Sequence, residues 1–112
     1  MTEVQSSKVY DLEDRTLKFT RNILEFVNNL SKSVTNLEVG KQLTRSAGSI
    51  GANYIEANES FSKKDFSLRI KISRKEAKET RYWLRVLSGP EELIDEVTQL
   101  MKIFGAILEK TK

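Results

Sequence analysis

Leu12, Thr16, Phe19, Ile23, Phe26 and Leu30 recur at spacings of 4, 3, 4, 3 and 4 residues. That rhythm places them on one face of an α-helix and no strand pattern reproduces it. Three more segments repeat it. Val39, Leu43, Ile50, Tyr54, Ala57 and Phe61 line a second stripe. Phe66, Ile70, Ser73, Ala77, Thr80, Leu84 and Leu87 line a third, and Leu93, Val97, Leu100, Phe104 and Ile107 a fourth. Breakers are scarce, with 5 Gly and 1 Pro in 112 residues, so long helices are favoured over many short strands.

Punctuation between the stripes predicts the helix limits. Helix 1 is expected from about Asp11 to Leu30, with Asp11, Glu13 and Asp14 favourable at its positive end. Thr35 and Glu38 have the spacing of a capping box for helix 2, and Ser62 precedes helix 3 with Asp65 three residues on. Ser88–Gly89–Pro90 ends helix 3, Gly suiting a left-handed position and Pro the first turn of helix 4. Four amphipathic helices with short connections predict an all-α, up-down-up-down antiparallel four-helix bundle. One domain is expected over residues 11–112, after a disordered or extended tail at 1–10 with no apolar signal segment.

Several chemistries are closed to this chain. It has no Cys and no His, so it has no disulfide, thiolate nucleophile, zinc site or imidazole base. The lack of Cys fits a reducing compartment, and a cytoplasmic location is expected. No apolar run reaches the roughly 18 residues of a membrane span, so no membrane partner is expected.

The net charge is only +3, but it is unevenly spread. Between Lys63 and Arg85 there are nine Lys or Arg and three acids, so this segment carries +6 and the remainder −3. At about 100° per residue, Lys71, Arg74, Lys75, Lys78, Arg81 and Arg85 share one arc of helix 3 beside its core face. Such a ridge is suited to phosphates, and each of these six residues is a candidate nucleic-acid contact. The alternative is a solvated face, or a dock for an acidic partner protein in an adaptor or scaffold. Tyr82, at the edge of the ridge, is placed to stack on a base.

A third arc of helix 3 holds Leu68, Ile72, Trp83 and Val86, away from core and ridge. Helix 2 has a matching second face of small residues, with Gly48, Gly51, Ala52 and Ile55. Glycine within a helix costs up to about 1 kcal/mol relative to alanine, so two of them point to a close neighbour. These eight residues are the expected contacts of a homo-oligomer.

One enzymatic constellation is available. Glu56 and Glu59 repeat the i, i+3 spacing of Glu76 and Glu79, and four carboxylates in a helical bundle can hold Mg²⁺, as in all-α nucleotide pyrophosphohydrolases. Both pairs lie off the core stripes and have basic or amide neighbours in Arg45, Asn53 and Arg69. The favoured reading is therefore a structural polar network of these seven residues, without metal, cofactor or catalysis.

Two long runs carry a family resemblance. The first is Gly40–Lys41–Gln42–Leu43 followed by Arg45–Ser46–Ala47–Gly48–Ser49–Ile50–Gly51–Ala52–Asn53–Tyr54–Ile55–Glu56–Ala57–Asn58–Glu59. The second is Lys63–Lys64–Asp65–Phe66 followed by Arg74–Lys75–Glu76–Ala77–Lys78–Glu79–Thr80–Arg81–Tyr82–Trp83–Leu84. With the ending Ile103–Phe104–Gly105–Ala106–Ile107, they resemble the bacterial four-helix-bundle proteins encoded in intervening sequences of the 23S ribosomal RNA gene. The resemblance implies homopentamers, similar to the basic, nucleic-acid-binding accessory protein of diversity-generating retroelements. It implies no established enzymatic activity and supplies no catalytic residues. Its link to ribosomal RNA rests on gene position. The chain is therefore expected to be a non-enzymatic homo-oligomer whose ligand is RNA or another structured nucleic acid, held through helix 3.

Overall fold

The fold is given by a computed structural model that describes the backbone of residues 3–112 and the side chains from Asp11 onward. It contains α1 (Glu3–Asn28), α2 (Val34–Asn58), α3 (Lys63–Val86) and α4 (Glu91–Lys110), and no strand among the described residues. None of these helices is long and apolar enough to cross a membrane.

Cross-helix hydrogen bonds give the directions. Between α2 and α3, Ser46 meets Thr80, Ile50 meets Ser73 and Asn53 meets Arg69, so one number rises as the other falls. Thr20 reaches the Ala47 carbonyl and Asn58 reaches Glu13, which makes α1 and α2 antiparallel as well. Arg81 with Thr98 and Ser67 with Thr111 do the same for α3 and α4. The bundle is up-down-up-down. Its α1–α4 seam is thin, and its polar link is Arg15, which donates to Glu96 and Gln99.

The four stripes meet as a core. Phe19, Ile23, Leu43, Ile50, Ile70, Leu84, Val97, Leu100 and Phe104 are essentially inaccessible to solvent. Two hydroxyls within it are satisfied across the α2–α3 contact. Thr80 Oγ1 donates to Ser46 Oγ at 2.8 Å, and Ser73 Oγ to the Ile50 carbonyl at 2.9 Å.

The departures from expectation lie at helix ends. α1 is already helical at Glu3, with no Gly or Pro to halt it before Asp11; of the expected tail, Met1 and Thr2 lie outside the described residues. The cap of α2 is Ser33, not Thr35. Its Oγ accepts from the Asn36 N–H at 3.0 Å, and the Asn36 side chain donates back to the Ser31 carbonyl, fixing the turn. Phe61 belongs to no stripe, because α2 ends at Asn58 and leaves its ring fully exposed. After α3 the left-handed residue is Ser88, at φ 53°, and not Gly89. Gly89 N–H closes the turn on the Leu84 carbonyl at 2.8 Å. Glycine suits the tight space there, since a Cβ would stand 3.0 Å from Leu84 Cδ2 and 3.2 Å from the Leu84 carbonyl.

Candidate nucleic-acid interface

α3 turns its core stripe inward and its α2-facing side toward Ser46 and Ile50, so the opposite flank projects beside α4. Lys71, Arg74, Lys75, Lys78 and Arg85 are exposed on that flank and Arg81 is half-buried. The ion pairs among the described residues are Arg15–Glu96, Arg45–Glu76, Arg45–Glu79 and Glu109–Lys112. None of the six ridge cations forms an ion pair there, and Lys75 alone is felt by a carboxylate of α3, that of Glu79.

Between α3 and α4 the ridge borders an open groove of about 380 Å³. Arg74, Lys78 and Arg81 form one wall, and Thr98, Met101, Lys102 and Gly105 form the other. Arg81 Nη1 donates to Thr98 Oγ1 at a long 3.5 Å. Lys102 thus adds a seventh cation that the reading of α3 alone missed. Reflection through the Gly89–Pro90 turn would have found it, because antiparallel helices place residues equidistant from their turn side by side, Lys78 against Met101 and Arg74 against Gly105.

The expected polar network exists in part. Arg45 on α2 bridges Glu76, at 3.3 Å, and Glu79 on α3. Arg69 Nη1 donates to Asn53 Oδ1 at 3.0 Å, and Asn53 donates to the Ser49 carbonyl. Trp83 Nε1 donates to Glu79 Oε2 at 3.0 Å. Glu56 and Glu59 stand outside, exposed at the C-terminal end of α2. The four carboxylates of the pyrophosphohydrolase alternative are not brought together: two face solvent and two are turned onto Arg45. Among the described residues no three metal-ligating side chains of the carboxylate, imidazole or thiol type gather.

Within this seam the Trp83 hydrogen bond, opposed by burial and aided by Arg45, holds the Glu79 carboxyl below its ordinary value of 4.5. A depressed carboxyl stabilises the fold above the unfolded value, and that contribution is lost as pH falls through the folded value. Stability should therefore decline on acidification below about pH 4.5. Trp83→Phe should move the Glu79 titration upward, toward the ordinary value. Carboxyl chemical shifts followed by NMR against pH check this, and an unmoved titration would contradict the assignment.

The apolar surface is narrower on α3 and broader elsewhere than expected. Leu68 and Val86 are exposed at 56% and 47%, whereas Ile72 and Trp83 are half-buried and Trp83 packs against the core. On α2, Ala52 and Ile55 are exposed, and Gly48 has open space where a Cβ would stand. Gly51 is not a subunit contact. It is buried against α1, where an added Cβ would meet Thr16 Oγ1 at 2.8 Å, and that hydroxyl is bound to the Leu12 and Glu13 carbonyls. Leu17 and Leu24 on α1 and Leu37 on α2 are also exposed, outside the core stripes.

The sequence matches the family described as 23S rRNA-intervening sequence protein over residues 8–107. The fold is similar to the crystal structure of a protein with unknown function from the S23 ribosomal protein family of Bacteroides thetaiotaomicron VPI-5482. That similarity has a TM-score of 0.82 and 31% identity, and covers 91% of this chain and 98% of the other. No curated protein matches the sequence.

Proposed function

The chain belongs to the 23S rRNA-intervening sequence protein family, and from that premise we propose that it is a non-enzymatic, cytoplasmic, homo-oligomeric protein that binds RNA through the basic flank of α3. One observation carries the reading: Lys71, Arg74, Lys75, Lys78, Arg81 and Arg85 are set along one flank, and none of them forms an ion pair among the described residues.

A surface grown only for solubility would intersperse acids among its cations. Here the acids of α3 are elsewhere, Glu76 and Glu79 turned to α2 and Asp65 in the first turn. The ridge offers one or two cations per helical turn, about every 5.4 Å along the axis. Phosphate contacts of this kind position a nucleic acid without reading its sequence. Repetition around a ring, five subunits by the family resemblance, multiplies a modest charge per chain into a multivalent surface.

The test is the Lys75→Glu, Lys78→Glu double variant. Anisotropy of a labelled RNA at low salt should show affinity weakened on the order of 10- to 100-fold, with a shallower dependence on salt. Unchanged affinity would remove the ridge as the site.

A further inference from the structure

We propose that the α3–α4 groove and the Tyr82 ring together form a site for an unpaired nucleotide, the groove taking its phosphate and Tyr82 its base. This rests on the RNA-binding reading and adds to it a contact that only an unpaired base can make.

The groove is more than a stretch of charged surface. Arg74, Lys78 and Arg81 approach it from α3 and Lys102 from α4, around one concavity of about 380 Å³. Among the described residues none of the four is ion-paired, and the 3.5 Å contact of Arg81 with Thr98 is the one hydrogen bond among them. Four like charges converging from two helices repel one another, and a seated anion relieves that repulsion while accepting several charge-assisted hydrogen bonds. Met101 adds an apolar surface to the same wall.

Tyr82 lies four residues from Lys78, so the two side chains are neighbours on the helix, about 5–6 Å apart at Cβ. Tyr82 as a whole is 59% exposed. It is also held in place. Trp83 meets it edge-on, with centroids 4.9 Å apart at 70°. Trp83 is fixed in turn by its bond to Glu79, and Glu79 by Arg45. The polar seam between α2 and α3 thus leads, through Trp83, to an aromatic ring beside the phosphate seat. Exposed aromatic rings next to cations are what base stacking uses in single-strand binders. In an A-form duplex the bases are already stacked inside and cannot reach such a ring.

The experiment compares a labelled oligouridylate with a blunt RNA duplex of equal length, each titrated against the full-length protein at one salt concentration. Tyr82→Ala should weaken oligouridylate binding roughly 10-fold and leave the duplex unchanged. Tyr82→Phe, which keeps the ring, should bind both probes as wild type does. Lys102→Glu should weaken both. The proposal is overturned if Tyr82→Ala binds oligouridylate normally, if it loses both probes equally, or if Tyr82→Phe fails to restore binding. An inert Lys102→Glu removes the groove from the site. If wild type binds neither probe, the RNA-binding reading itself falls, a result distinct from normal binding by Tyr82→Ala.

Discussion

Phe104→Ala is expected to destabilise the bundle by about 3–5 kcal/mol. The ring is wholly buried and sits against Tyr54 of α2, with centroids 5.9 Å apart and planes tilted by 53°. It therefore ties α4 to α2 across the bundle. That tie matters because the direct α1–α4 seam is thin, with Arg15 as its polar link. A domain of this size has a total stability of roughly 5–15 kcal/mol, so the change removes a large fraction of it. Urea unfolding followed by circular dichroism measures the loss, and a value below about 1 kcal/mol would mean that the neighbours refill the space. Phe104→Leu, which keeps most of the volume, should cost far less. The effect reaches the groove as well. Lys102 and Gly105 flank Phe104 on α4, so a displaced α4 carries the second wall of the phosphate seat with it.

Interior residues of the helices were legible because their spacing is set by the helix itself. Leu43, Ile50, Tyr54 and Ala57, or Ile70, Ala77 and Leu84, had to share a face whatever the neighbours were. Helix ends are decided differently, by competition between nearby caps. Ser33 and Thr35 are both competent, and the side-chain turn of Asn36 onto Ser31 selects Ser33. Extending the α2 stripe to Phe61 failed because periodicity does not say where a helix stops. Gly51 was misassigned for a different reason. A small residue announces a close approach but not the identity of what approaches, and here it is Thr16 of the same chain. The basic ridge could be read because it lies within one helix. The wall opposite it could not be read from periodicity, since Lys102 joins the site only through the register of α4 on α3. Likewise Glu76–Glu79 and Glu56–Glu59 are equivalent in spacing, and only the placement of Arg45 separates them.

Aspartate at both Ala52 and Ile55 is expected to dissolve the proposed assembly. Both residues are exposed on α2, so the single subunit should fold with little change, within about 0.5 kcal/mol for surface positions. This surface is on a different helix from the apolar strip of α3, whose exposed residues Leu68 and Val86 stand about 27 Å apart near its two ends, either side of the half-buried Ile72 and Trp83. Two unlike patches on one chain suit a head-to-tail contact, which closes into a ring when the rotation per step divides a full turn. Charge placed in such a contact is buried without a partner and opposes it strongly. Light scattering should then report the 12.9 kDa of one chain in place of a multiple of it. Because Ala52 and Ile55 belong neither to the ridge nor to the groove lining, short oligouridylates should bind the variant as before. A long RNA that spans several subunits should lose the gain from linked sites, on the order of 10²- to 10⁴-fold. The head-to-tail geometry makes a sharper demand. A subunit carrying aspartates only on α2 retains its α3 patch, and one carrying them only at Leu68 and Val86 retains its α2 patch. Mixed together, these two monomers should form a heterodimer and stop there, because each has one working face. A single-chain mass for the wild-type protein would remove the assembly. Failure of the mixed monomers to pair, with the wild type still oligomeric, would replace the head-to-tail contact with one built from identical faces.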